Sequence, residues 1–255
     1  MELLSHAICG SGLVRSQNQD NLFINGIYRY DLKDSSDFRY ADISDNCGIY
    51  AVSDGMGGEK YGELAALIAV QRMSAINISD GSQSMVSYIN ECNSIICELM
   101  LERNVRIGAT FVGLCIFEGR ADVVNIGDSR LYIFRNGELT QLSRDHTSIQ
   151  QMLDLGVITE EVAEKHPDRN KLTQHLGILP TEMIIEPHTD SIDIETGDIF
   201  LLCSDGLTEM LDTAEIKAIL EASITIEKKA KSLFNAAMRY GGKDNTTLIL
   251  VHVRK

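Results

Sequence analysis

Apolar positions in this chain fall into short runs parted by polar turns, and their period changes from block to block. NLFI at 21–24 and CGIYAVS at 47–53 are brief, rich in β-branched and aromatic residues, and predict strands. Helical stretches follow at 62–76 (GELAALIAVQRMSAI) and 82–103 (SQSMVSYINECNSIICELMLER). In the second, Met85, Ile89, Cys92, Ile96 and Met100 recur at three- and four-residue steps, which marks one apolar helix face and a core role for its Met and Cys.

From Ala109 the pattern turns to strand: ATFVGLCIF, ADVVNIG and RLYIFRNGELTQL, the last with an Asn136-Gly137 pair that favours a type I′ hairpin turn. Residues 147–178 become polar and helical, with Thr159 placed as an N-cap before EEVAEKH. DIFLLCS reads as a strand, AEIKAILEA and EKKAKSLFNAAMRY as helices, and TTLILVHV as a closing strand. Strands in runs with helices in pairs predict an α+β protein in which helices cover antiparallel sheets, unlike the regular βαβ alternation of a parallel sheet.

With 255 residues, 44 % of them apolar, the chain can bury a full core. No repeat or Pro-rich linker divides it, and only three prolines occur, so a single domain over 1–255 is expected. The six cysteines lack paired CxxC spacing and sit in or near apolar runs, reading as buried thiols of a reducing compartment. The N-terminus has no basic, apolar leader pattern and no window reaches the length of a membrane span, so a cytoplasmic protein is expected. A formal charge of −14 argues against nucleic-acid or anionic-membrane partners. Chemistry on phosphates would then need metal ions to reverse the local field.

Five acids stand at the ends of strand-like runs: Asp54 after IYAVS, Asp128 after VVNIG, Asp205 after IFLLCS, Asp244 before TTLILV and Asp20 before NLFI. Acids often follow strands simply as turn formers. Five in like settings also suit a hard cation, because the short Asp arm loses little entropy when several converge on Mg²⁺ or Mn²⁺. Gly55, Gly57 and Gly58 remove bulk where backbone and ion must come close. A dinucleotide fingerprint would need glycine where Lys60 stands, and Walker A, EF-hand, HExxH and GxSxG patterns are absent.

The segments RSQNQD, SDGMGG, GATFVG, NIGDSRLYIFRNGELTQLSRDH, LLCSDGL and GGKDNTTLILV, in this order over about residues 5–253, resemble the metal-dependent protein phosphatase family (PPM, type 2C), its small bacterial branch above all. The resemblance implies a four-layer αββα sandwich, two central antiparallel β-sheets flanked by helices, with a binuclear metal site at one end. Residues 147–190 would form a flap beside that site.

By the same resemblance Asp54 bridges two ions, Mn²⁺ or Mg²⁺, and the Gly55 carbonyl ligates the second. Asp205 and Asp244 complete the first, and Asp20 holds the second directly or through water. Asp128 joins Asp205 at a third, weaker ion. Arg15 grips the substrate phosphate, and Asn245 supports the ligand loop. The implied activity is hydrolysis of protein phosphoserine and phosphothreonine by direct attack of water activated between the two ions. No phosphoenzyme is required, so Ser53 and Ser204 are not nucleophiles. Phosphorylated proteins are the implied partners, together with a Ser/Thr kinase that the enzyme opposes, and the chain is expected to act as a monomer.

Two departures stand out. Met56 takes the place of a His that serves as an acid in many members, and a thioether donates no proton. Gln19 replaces a Glu, removing one charge beside the second ion. His146, in SRDH, has a loop-organising position, and His166 and His175 lie in the flap. Two other readings remain: a pseudophosphatase that binds phosphoproteins without turnover, and a phosphatase of partner-switching regulators.

Overall fold

The computed structural model describes residues 1–34, 36–56, 61–163 and 166–255. In chain order the elements are β1 Glu2–Gly10, β2 Asn21–Ile24, β3 Ile27–Tyr28, β4 Phe38–Asp45, β5 Cys47–Ser53, β6 Gly55–Met56, α1 Gly62–Gln71 and α2 Gly81–Arg103. There follow β7 Gly108–Ala109, β8 Phe111–Phe117, β9 Arg120–Ile126, β10 Arg130–Arg135, β11 Glu138–Gln141, α3 Ser148–Asp154 and α4 Glu160–Ala163. The last are β12 His188–Asp193, β13 Ile199–Cys203, α5 Asp205–Thr208, α6 Thr213–Glu221, α7 Ile226–Arg239 and β14 Thr246–Arg254.

Two six-stranded sheets form, ordered β11-β10-β13-β14-β1-β4 and β12-β9-β8-β5-β2-β3, beside a small β6-β7 pair. The pairings are antiparallel. The sheets face each other across a core that includes Leu3, Tyr50, Val52, Val112, Phe200, Ile249 and Val251. Helices α1 and α2 cover the outer face of the second sheet through Ala65, Ala69, Met85, Ile89, Cys92 and Ile96. Helices α5, α6 and α7 cover the first through Leu207, Ile216, Leu233 and Phe234. The result is the expected α+β, four-layer αββα arrangement.

This layering explains the apolar runs. The five residues of β13 are all buried, as are the first six of β14, because one side of each strand meets the other sheet and the opposite side meets helices. Alternation survives only at the rim. In β4, half-buried and exposed residues alternate along a strand whose sequence, FRYADISD, gives no apolar run and was not predicted. Strands β1 and β12 were missed as well, since Ser5 and His6 interrupt the first and HTDSID is mostly polar.

Three further expectations need correction. The helix predicted over 62–76 ends at Gln71, and a tighter turn at Met73–Ala75 carries Met73 and Ile76 into the same core. The stretch 147–178 is helical only in α3 and the four-residue α4 among the described residues; its remaining chain is turn and extended. Cys47 is exposed, while the other five thiols are buried and all six are free.

The Asn136-Gly137 turn has φ of 52° and 79°, both in the left-handed region that a type I′ turn requires. Thr159 precedes α4, and its carbonyl accepts the N–H groups of Val162 and Ala163. Among the described residues, no helix is long and apolar enough to cross a membrane.

Candidate active site

Strand register brings the five acids to one end of the sandwich. Asn21 pairs with Ser53, so Asp20 and Asp54 leave adjacent strands at the same edge of one sheet. In the facing sheet Cys203 pairs with Leu248, and the Ser204 N–H continues the ladder to the Thr247 carbonyl at 3.0 Å. Asp205 and Asp244 therefore flank neighbouring strand ends too. Asp128 follows β9, whose Ile126 pairs with Phe111, one residue from the Thr110 that contacts Asp54. The Ser204 hydroxyl donates to Asp20 Oδ2 at 2.7 Å and so ties the two sheets together directly beneath the acids.

Hydrogen bonds brace the loops that carry the acids. The Asp54 N–H donates to Thr110 Oγ1 at 3.0 Å, and the Thr110 N–H donates to the Asp54 carbonyl at 2.8 Å. Thr110 Oγ1 in turn meets Ser129 Oγ at 2.7 Å, which links the Asp54 and Asp128 loops. Asn245 ties the loop before β14 to the chain ahead of Asp20: its amide donates to the Ser11 and Gln17 carbonyls at 3.0 and 2.8 Å, and its Oδ1 accepts the Gln19 N–H at 2.8 Å.

Two glycines mark real close approaches. A Cβ on Gly55 would stand 2.1 Å from the Gly62 carbonyl, and one on Gly206 would stand 1.9 Å from the Asn245 carbonyl. Only hydrogen fits at either position. Gly57 and Gly58 lie outside the described residues.

A cleft of about 590 Å³ opens here, lined by Arg15, Gln19, Asp54, Gly55, Met56, Asp205, Asp244 and Asn245 among others. Arg15 Nη2 reaches Asp244 Oδ2 at 2.6 Å. Gln19 donates from its carboxamide to Glu63 at 3.4 Å, so a carboxylate from the first turn of α1 stands next to the position where charge was expected to be lost. Asp20 is buried behind the cleft. Asp128 lines a neighbouring cleft of about 800 Å³ beside α3 and α4, and Asp205 lines both.

The electrostatics are those of crowded carboxylates. Burial, then the charges of Asp20, Asp205 and Asp128, push the Asp54 carboxyl well above the usual range. Burial, then Asp128, Glu209 and Asp20, do the same to Asp205. Burial raises Asp20 to about 6 and Asp128 to about 7, with Asp145 adding to the latter.

These residues fit a divalent cation. Oδ1 of Asp20 and Oδ1 of Asp205 are buried without a hydrogen-bond partner, and hard oxygen donors of this kind suit Mg²⁺ or Mn²⁺. Among the described residues, however, no three His, Cys, Asp or Glu side chains are drawn onto a single point; they stand around the cleft with Arg15 on Asp244.

The remaining residues have structural tasks. Ser53 and Ser204 are fully buried and donate to the Thr110 carbonyl and to Asp20, so neither is offered to a substrate. His146 organises its loop: its Nδ1 accepts the Gly127 N–H at 3.1 Å, and its carbonyl accepts the Thr173 N–H at 2.8 Å. Burial and then His188 lower its pKa, consistent with a neutral acceptor ring. His166 Nδ1 accepts the Asp168 N–H, and His175 Nδ1 lies 2.8 Å from the Leu176 carbonyl. Sequence reasoning missed Thr110, Ser129, Glu63 and the supporting role of Ser204. Ser129 and Ser204 adjoin acids in the chain, whereas Thr110 sits in GATFVG with no acid beside it, and the partners of all four lie in other segments.

Comparison with known proteins agrees with this geometry. The family model described as protein phosphatase 2C matches residues 33–239. The serine/threonine phosphatase stp of Listeria monocytogenes is 32 % identical over 94 % of this chain and 92 % of its own length. The crystal structure of the Mycobacterium tuberculosis serine/threonine phosphatase PstP/Ppp superposes with a TM-score of 0.83 at 28 % identity, covering 100 % of both chains. The PstP catalytic domain in complex with two manganese ions does so with a TM-score of 0.80, again at 28 % identity and 100 % of both chains. The chain belongs to the protein phosphatase 2C family, as a PPM-type serine/threonine protein phosphatase of the bacterial branch.

Proposed function

We propose that this phosphatase works with two divalent cations, Mn²⁺ or Mg²⁺, and hydrolyses its phosphoprotein substrates by direct attack of water. The observation that carries the reading is the gathering of Asp20, Asp54, Asp205 and Asp244 at four strand ends, with partnerless buried oxygens on two of them. Asp54 would serve both ions, Asp205 and Asp244 the first, and the Gly55 carbonyl and Asp20 the second. Asp128 with Asp205 would hold a third, weaker ion between the two clefts. Bound there, the cations supply Lewis-acid activation of water and neutralise charge on the phosphoryl group.

The chain's own residues do the rest. Arg15 stands at the cleft with one Nη2 contact to Asp244, and its planar fork has further N–H donors for two phosphoryl oxygens. Asn245, Thr110 and Ser204 fix the loops so that the acids need not reorganise when substrate enters. Met56 lines the cleft and supplies no proton, so the leaving oxygen takes its proton from elsewhere than that side chain. The substrates would be cytoplasmic proteins phosphorylated on Ser or Thr by a kinase that this monomeric enzyme opposes.

The test is hydrolysis of a phosphothreonine peptide by metal-stripped protein, with manganese titrated back and an EDTA control. Turnover that returns with manganese is expected. Manganese binding without turnover would replace this reading by phosphoprotein binding alone.

A further inference from the structure

Arg29 is a buried cation that none of the preceding chemistry uses. It follows β3, is 4 % exposed, and has no carboxylate within ion-pair distance among the described residues. Burying a guanidinium is costly unless its donors and its charge are both answered. The donors are answered by backbone: Nη1 donates to the Asp20 carbonyl at 2.6 Å and Nη2 to the Asn18 carbonyl at 2.9 Å, while Nε is buried without a partner. Its own backbone is locked as well, since Asn21 accepts the Arg29 N–H at 3.1 Å and donates to the Arg29 carbonyl at 2.9 Å.

We propose that Arg29 is a positioning residue for the cation held by Asp20: its fork clamps the carbonyls on either side of Gln19 and so fixes where the Asp20 carboxylate points. The clamp acts on residues 18–20, which lie outside the strands and helices. Among the described residues, the Asp20 Oδ2 accepts the Ser204 hydroxyl, its Oδ1 has no hydrogen-bond partner, and its N–H donates to the Asn18 side chain at 3.1 Å. Remove the guanidinium and two carbonyls buried in the loop lose their charged donor, so the segment must shift to satisfy them. The guanidinium and the Asp20 side chain are both buried, and the residue whose carbonyl Nη1 holds is the one that carries the carboxylate. A planar fork can span two carbonyls two residues apart; an ammonium is a single point and holds them less rigidly.

This inference rests on the proposed cation site, and the experiment separates the two. Manganese binding is measured by calorimetry on metal-stripped wild-type, Arg29→Met, Arg29→Lys, Asp20→Asn and the double variant Arg29→Met/Asp20→Asn, with circular dichroism reporting folding. Arg29→Met is expected to weaken one manganese site by about 10–100-fold, the size typical of lost support behind a ligand, and to leave the other unchanged. Arg29→Lys should recover part of that loss. In the Asp20→Asn background the Arg29 substitution should add nothing, because the residue it positions no longer ligates. Unchanged manganese affinity in a folded Arg29→Met protein overturns the proposal, and so does an equal further loss in the Asp20→Asn background. If Arg29→Met does not fold, Arg29→Lys decides alone by the same criterion. Wild-type protein that binds no manganese would defeat the metal-dependent reading itself and the Arg29 proposal with it.

Discussion

Arg15 Nη2 donates to Asp244 Oδ2 at 2.6 Å across the cleft, between residues 229 positions apart in the chain. The contact exists because β14 pairs with β1, which brings the loop after β1 beside the loop before β14. It places the phosphate-binding candidate directly on a metal-binding candidate. Arg15→Ala is expected to lower kcat/KM for a phosphothreonine peptide about 10–100-fold, the equivalent of a charge-assisted hydrogen bond of about 1.5–3 kcal/mol. Arg15→Lys should retain part of the activity but not the bidentate grip. Steady-state kinetics at saturating manganese checks this, and wild-type kcat/KM in Arg15→Ala removes Arg15 from the site.

Asp54→Asn preserves shape and removes the charge most crowded by other acids. Turnover should disappear while the fold persists. In EDTA the variant should melt no lower than wild-type at neutral pH, because a buried carboxylate has been replaced by a neutral amide. Near-wild-type turnover in the folded variant would be incompatible with the proposed role.

The pH dependence of the metal-stripped protein runs opposite to that of a salt-bridged acid. Asp20 and Asp128 are raised from 3.8 to about 6 and about 7, so between these values the folded chain holds more protons than the unfolded one. Their stabilising effect is complete below about pH 4 and is lost as pH rises through about 6 and 7. Asp54 and Asp205 are raised as well and act in the same direction. Melting temperature in EDTA should therefore fall across this window, and saturating manganese should remove the fall. A rise across the same window in EDTA contradicts the account.

Asp128 lines the neighbouring cleft and is absent from the lining of the first. Asp128→Ala should cut turnover by about 10–100-fold, as loss of supporting groups around a metal commonly does, while leaving the two tighter manganese sites measurable. Calorimetry showing that both tight sites are lost would place Asp128 in the core pair instead.

Gly206 tests close approach. A methyl group there would stand 1.9 Å from the Asn245 carbonyl, so Gly206→Ala must push the Asp244–Asn245 loop away from Asp205. A stability loss of about 1–3 kcal/mol is expected, together with weakened manganese binding. Denaturant unfolding and calorimetry would detect both, and an unperturbed variant would mean that the loop yields freely.

How much of this could be read from the chain differs by element. The central strands β5, β8, β13 and β14 were legible because burial on both sides leaves an unbroken apolar run, and α2 because its stripe keeps a helical period. Strands β1, β4 and β12 were not, since their polar residues are tolerated only through ladder partners far along the chain, such as Ser5 opposite Asp42. The end of α1 at Gln71 was likewise hidden: no Gly or Pro marks it, and the break follows from where Met73 and Ile76 must pack.

The sequence by itself determined which acids flank strands, where glycine stands beside Asp54 and which family the motifs resemble. Those are local properties, set by residue type and spacing. Only the tertiary structure decided that Arg15 lies on Asp244, that Glu63 backs Gln19, that Thr110 holds Asp54 and that a buried Arg29 grips the chain around Asp20. Each of these joins segments separated by turns or whole strands. Strand register and the stacking of two sheets, which no short window of residues encodes, bring them within hydrogen-bond reach.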